Sequence, residues 1–253
     1  MTCKNRAKNC GGCPLLEVPY PEQLKQKEAK VRALLGKYGP VHPIRGMETP
    51  THYRNKVIST FATGFGGKLV SGIYAAKTHK VLPVERCLLE DEVLDTAMEA
   101  VRAAAAACKY QPYNADNGPG LLRLCLLRRG VATGLVMVVL VTAQPVLPGA
   151  KNFVRALLAE AEKRSVPVTT VVQNYNPRRT SVVLGEQEKV LYGKGFILDT
   201  LCGKTYALSP RSFYQVNPVQ TAVLYGLAVD AATLPGNEVV LDAYCGLGTL
   251  RLT

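Results

Sequence analysis

The stretch Glu238-Val239-Val240-Leu241-Asp242-Ala243-Tyr244-Cys245-Gly246-Leu247-Gly248-Thr249 runs an apolar segment straight into an Asp-x-x-x-Gly-x-Gly loop. The apolar part, Glu238 to Asp242, reads as a buried strand, and the glycines let the backbone that follows approach a ligand closely. A strand that ends in a glycine loop is how a nucleotide-type α/β fold begins, with its ligand at the carboxyl end of the first strand. The third glycine of a dinucleotide fingerprint is missing, and so is the lysine of a phosphate loop. Asp242, Gly246 and Gly248 therefore suit S-adenosylmethionine best among glycine-loop ligands, with a plain β-turn as the alternative.

Upstream, Ser209-Pro-Arg-Ser-Phe213-Tyr-Gln215-Val-Asn217-Pro218 is a polar segment that ends at a helix start, with Asn217 as N-cap and Pro218 in the first turn. The helix is expected to run to about Leu234. Capping explains Asn217 but not Gln215, whose amide is free to hydrogen-bond a ligand.

Before this region the pattern is mixed α+β. Strands are expected at Lys56 to Phe61, Leu69 to Tyr74, Lys80 to Pro83, Leu121 to Leu127, Gly134 to Val141, Val168 to Asn174, Ser181 to Leu184 and Gly195 to Thr200. Arg128-Arg129-Gly130 suits a hairpin, and helices are expected from the acids Glu90, Asp91 and Glu92 to about Cys108 and over Asn152 to Arg164. An earlier helix starts at Pro21, carries Leu24, Val31, Leu34 and Leu35 at helical spacing above a basic outer face, and stops at Gly36. The expected organisation is a cysteine loop and basic helix over residues 1–45, a central α+β RNA-binding domain over 46–205, and the start of a Rossmann-like methyltransferase domain over 206–253.

The first 19 residues have neither helical nor strand period and are rich in cysteine, glycine and proline, so they need an external organiser. Cys3, Cys10 and Cys13 follow C-x6-C-x2-C, and the Cys10-Gly-Gly-Cys13 turn lets two sulfurs approach one metal. Cys87, at a strand end just before a helix, is the best fourth ligand; Cys108, Cys125 and Cys202 sit in a helix end, an apolar strand and a turn. A four-cysteine zinc site usually pairs ligands two to four residues apart on each side, which neither the x6 gap nor the solitary Cys87 provides. Spacing alone leaves both zinc and an iron–sulfur cluster open.

The chain has 253 residues and 47% hydrophobic content, enough to bury a core. Lysine and arginine outnumber acids 31 to 19, a formal net charge of +12. Eleven of these cations face only four glutamates between Met1 and Lys56, which favours a polyanionic partner such as nucleic acid. No signal-peptide pattern follows Met1, so the eight cysteines read as thiols of a cytoplasmic protein rather than disulfides. The longest apolar stretch, Gly134 to Ala143, falls short of the roughly 20 residues a membrane span needs.

Taken together, the cysteine loop, His52-Tyr-Arg54-Asn55-Lys56, Ser212-Phe-Tyr-Gln215-Val-Asn217-Pro218 and Leu241-Asp-Ala-Tyr-Cys-Gly-Leu-Gly-Thr249 resemble the RNA uracil-5-methyltransferase family, most closely its 23S rRNA branch. The resemblance implies a 4Fe-4S cluster on Cys3, Cys10, Cys13 and Cys87. It implies S-adenosylmethionine contacts from Gln215, from Tyr244 in the place of an aromatic, and from Thr249 where some relatives carry asparagine. Arg54, Asn55 and Lys56 match the family's Arg-Asn-Lys strand, which implies contact with RNA backbone. The chain resembles the branch that lacks a small N-terminal β-barrel (TRAM) domain, and a monomer is expected.

In such enzymes a cysteine thiolate adds to uracil C6, C5 attacks the sulfonium methyl, a base removes the C5 proton and the cysteine leaves. The target base must be turned out of any helix first. The family's nucleophilic cysteine and base lie well beyond the glycine loop, so they are expected after Thr253; no residue of this chain is assigned as catalytic. Cys245 lies inside the cofactor loop and is not the nucleophile. The sequence therefore reads as a truncated chain without methyl transfer of its own. The alternatives are a tRNA uracil-5-methyltransferase and a non-catalytic RNA-binding module with a four-cysteine metal site.

Overall fold

A computed structural model describes residues 3–8, 10–76, 78–233 and 238–250. Among the described residues four α-helices, α1 (Tyr20–Leu35), α2 (Glu92–Ala107), α3 (Ala150–Glu162) and α4 (Pro218–Ala232), accompany nine strands. These are β1 (Lys56–Thr63), β2 (Leu69–Tyr74), β3 (Val81–Pro83), β4 (Leu122–Arg129), β5 (Val136–Thr142), β6 (Val168–Tyr175), β7 (Gln187–Tyr192), β8 (Ile197–Leu201) and β9 (Lys204–Leu208). The first seven form one sheet in the order β3-β2-β1-β4-β5-β6-β7, and β8 pairs with β9 in a separate hairpin. Within the large sheet only β5 and β6 run parallel, and α3 is the crossover that a parallel pair requires.

β5 is buried along its whole length because both faces of the sheet are covered. Val136, Val138 and Leu140 point into a core shared with α2 and α3, which includes Leu94, Val101, Phe153 and Leu157. The alternating residues Met137, Val139 and Val141 point into a second core with Ile197, Leu208, Tyr206, Tyr214 and Tyr225. The second core thus carries the β8–β9 hairpin and α4 on the sheet. The expected acid-opened helix is present, with the Asp91 carboxylate accepting from the Val93 amide as N-cap.

The mixed α/β architecture agrees with the sequence, but several elements do not. The segment 238–242 is not a strand: Val239, Val240 and Leu241 are exposed, and no strand pairs with it among the described residues. An apolar run becomes a buried strand only when neighbours complete its ladder. Ser181 to Leu184 is also irregular; the Asn176 side-chain amide donates to the Val182 and Val183 carbonyls in place of a ladder. Arg128 and Arg129 belong to β4 rather than to a turn. α1 forms where expected but buries none of its residues, so its apolar spacing marks a face left open. The end of α4 expected at Leu234 lies outside the described residues. No described helix is long and apolar enough to cross a membrane.

Candidate functional site

The 209–217 segment is fixed from several sides. Ser209 and Ser212 share a hydroxyl contact of 2.9 Å, and the Arg128 guanidinium donates through Nη2 to the Ser212 carbonyl at 2.8 Å. Tyr214 is buried and donates to the Asp199 carboxylate at 3.2 Å. The Asn55 amide nitrogen Nδ2 donates to the Gln215 carbonyl at 3.1 Å, and the Asn55 backbone N–H donates to the Val216 carbonyl. Asn217 caps α4 by accepting from the Gln220 N–H. With its backbone held this way, Gln215 presents a half-buried side-chain amide that makes no hydrogen bond among the described residues.

This arrangement sets Asn55 apart from the two cations beside it. Asn55 is 1% exposed, and its side chain ties the start of β1 to the Gln215 segment. Alternation along the chain explains why, since residues adjacent in an extended segment face opposite ways. Arg54 is exposed and Lys56 is half-buried. Burial is the main cause that pulls the Lys56 pKa down, with the Arg128 and Arg54 guanidinium groups adding repulsion.

Arg128 is 2% exposed, and its Nε and Nη1 have no partner among the described residues. Burial lowers its pKa to about 10. A buried charge without a counterion costs more than its single anchor returns. Arg128→Met is expected to leave stability in urea unfolding unchanged or raised by about 1 kcal/mol or more. A loss of ~2 kcal/mol would show instead that the bond to Ser212 outweighs the desolvation.

The glycine loop rests on the same aromatic cluster. The Tyr225 and Thr249 hydroxyls lie 3.0 Å apart, Tyr206 donates to the Thr249 carbonyl, and the Tyr206 and Tyr214 rings are 6.3 Å apart. Thr249 thus directs its hydroxyl at Tyr225, a contact that braces the loop. Gly246 and Gly248 adopt positive φ of 55° and 69°, and an added Cβ at Gly246 would meet nothing within 4 Å. Tyr244 also has positive φ, 62°, and is fully exposed. A non-glycine residue in that conformation is strained, as binding loops often are. The Asp242 Oδ2 is buried without a hydrogen-bond partner among the described residues. A free carboxylate oxygen, the Gln215 amide and open glycine backbone are the donors and acceptors that an adenosine and amino-acid ligand needs.

In the cysteine loop, Cys10 donates from its backbone to the Asn5 carbonyl, and the buried Asn5 side chain donates to the Arg86 carbonyl at 2.7 Å. Asn5 therefore ties the loop beside Cys87, whose own N–H donates to the Asp95 carboxylate. The Cys13 thiol is pushed up first by burial and then by Cys10 and Cys3. Burial pushes Cys87 up to about 11, and Glu90 up to about 8 with help from Asp95. Among the described residues no group of three or more His, Cys, Asp or Glu side chains is gathered tightly enough to hold a metal ion. Four thiols are the donor set that an iron–sulfur cluster takes, and Asn5 brings the triplet to the fourth thiol's strand end. Asn5 and Asp95 carry no expectation from the sequence, and Arg128 reads there only as part of a turn; the one available signal is Asp95, an acid on the apolar face of α2.

No protein-family model matches the chain. An uncharacterized RNA methyltransferase of Bacillus cereus is 40% identical over 248 residues, covering 96% of this chain and 53% of that protein. A protein of the same description from Listeria monocytogenes gives the same values, and one from Halalkalibacterium halodurans is 39% identical over 249 residues. The chain spans about half the length of these relatives. Among solved structures, the Pyrococcus abyssi tRNA (uracil-54, C5)-methyltransferase in complex with S-adenosyl-L-homocysteine superposes with a TM-score of 0.74 at 26% identity, covering 96% of this chain and 55% of that one. The chain is related to proteins named RNA methyltransferases and shares the fold of this portion of a tRNA methyltransferase.

Proposed function

We propose that this chain takes part in transferring a methyl group from S-adenosylmethionine to C5 of a uracil in 23S rRNA, as a cytoplasmic monomer. The observation that carries the reading is 40% identity to RNA methyltransferases along 96% of the chain. The solved neighbour, described as a uracil C5 enzyme with S-adenosyl-L-homocysteine, supports both the base and the methyl donor. The four cysteines support the rRNA branch. That neighbour acts on tRNA, and this favours a tRNA uracil methyltransferase as the second reading. A non-catalytic RNA-binding module would leave the free Gln215 amide and Asp242 oxygen without a purpose.

In this reading Gln215, Asp242, Tyr244, Gly246, Gly248 and Thr249 hold S-adenosylmethionine, and Thr249 also braces the loop through Tyr225. The bound sulfonium supplies an electrophilic methyl group. Arg54 and Lys56 hold RNA phosphates, and Asn55 sets the position of Gln215. Cys3, Cys10, Cys13 and Cys87 hold a 4Fe-4S cluster that orders the N-terminal loop. The uracil-activating thiolate and the base are not assigned to residues of this chain.

Calorimetric titration with S-adenosylmethionine tests the cofactor half. Gln215→Ala is expected to weaken binding roughly 10- to 100-fold, the effect of losing a hydrogen bond to a charged ligand. No binding to the unaltered chain, or an unchanged affinity in the variant, overturns the assignment. Tighter binding of tRNA than of 23S rRNA fragments selects the second reading.

A further inference from the structure

A cleft of about 450 Å³ opens between α1, the cysteine loop and the 44–54 segment, with Asn217 and Gln220 of the α4 start at its end. That volume lies within the ~300–1,000 Å³ range of small-ligand sites and cannot admit a duplex. Its lining includes Lys27, Arg45 and Arg54 together with Tyr20 and Tyr53, and none of the lining residues is acidic.

The cations of this cleft carry no counter-charge among the described residues, and the cleft itself has a fixed shape. On α1, Lys25 pairs with Glu22 at 2.6 Å and Arg32 with Glu28 at 3.0 Å, while Lys27 and Lys30 make no ion pair among the described residues. Lys27, Arg45 and Arg54 have no ion pair among the described residues, although all three are exposed. The walls, moreover, are built rather than incidental. Glu28 accepts from the Ile44 N–H at 2.9 Å, the Tyr20 hydroxyl accepts from the Met47 N–H at 2.8 Å, and Gln220 donates to the Arg45 carbonyl at 3.0 Å. A preformed, one-signed cleft with aromatic rings at its wall is complementary to a flexible polyanion that carries flat bases.

We propose that this cleft binds one unstacked nucleotide of single-stranded RNA, with Lys27, Arg45 and Arg54 on the flanking phosphates and Tyr53 against the base. The proposal rests on the RNA methyltransferase reading and adds to it a site remote from the Gln215 amide in role, since it holds strand rather than methyl donor. Tyr20 is committed through its hydroxyl to Met47, so its ring is a fixed wall; Tyr53 is the ring available for stacking.

The test is fluorescence anisotropy of the full chain with a labelled uridine-rich RNA of about six nucleotides, a length within the site size of single-strand binders. The logarithm of the affinity should fall with the logarithm of salt, and a Lys27→Ala, Arg45→Ala, Arg54→Ala triple variant should reduce that slope by about 1.4, at ~0.7 for each of the two flanking phosphates on a single strand. Tyr53→Leu should cost roughly tenfold with the slope unchanged. In the unaltered chain, a 4-thiouridine RNA should photocrosslink to the peptide that contains Tyr53, a readout independent of any variant's folding. An unchanged slope in the triple variant, crosslinks confined to other peptides, or equal displacement by polyglutamate of matched charge overturns the cleft while leaving the RNA reading intact. Failure of the unaltered chain to bind RNA at low salt overturns the RNA reading itself.

Discussion

Cys87→Ser is expected to abolish iron binding. Anaerobically prepared protein should be brown and carry about four iron atoms per chain, as a 4Fe-4S cluster requires, and the variant should be colourless with iron near background. A cluster bound by thiolates loses a ligand in this exchange, and the Cys87 N–H held by Asp95 fixes the backbone so that no neighbour can step in. Cys108→Ser is the control, since that thiol closes the end of α2 and should leave iron unchanged. Iron analysis and the visible spectrum decide the matter; a colourless unaltered protein with one equivalent of zinc would replace the cluster with a zinc site.

Phe153→Ala is expected to destabilise the fold by about 3–5 kcal/mol, which for a chain of this size lowers the melting temperature by roughly 6–20 °C. Phe153 is fully buried under the sheet, and its ring lies 5.7 Å from that of Tyr110, whose hydroxyl is anchored on the Pro148 carbonyl. Truncation leaves a cavity that those anchored neighbours cannot refill. Phe65→Ala, at a fully exposed turn, should stay within about 0.5 kcal/mol. Thermal unfolding followed by circular dichroism compares the two, and equal melting temperatures would remove Phe153 from the core.

Elements were legible in the sequence where local chemistry and tertiary environment agree. Asp91 caps α2 as its position suggests, and β5 reads as an apolar run because both its faces are covered. β7 and β9 were not anticipated, since Gln187-Glu188-Lys189 and Lys204 look like turn or loop residues until their strands are placed at exposed edges. Val182 and Val183 misled in the opposite sense: β-branched residues favour strands, yet Asn176 holds them irregular. At the site, Gln215 stood out because capping did not account for it. Two flanking cations make the whole Arg54-Asn55-Lys56 tripeptide look surface-facing, and only the fold reveals that the Asn55 side chain turns inward.

The strand order β3-β2-β1-β4-β5-β6-β7 also bears on how the chain can fold as it is synthesised. β2 and β3 extend one side of β1 as soon as they emerge. After the excursion through α2, β4 docks on the other side, and each later strand adds in turn to a single growing edge. No strand has to be inserted between two already placed, so assembly can keep pace with a ribosome adding about 5–20 residues per second. β7, with its charged and exposed side chains, arrives last and closes that edge to other chains.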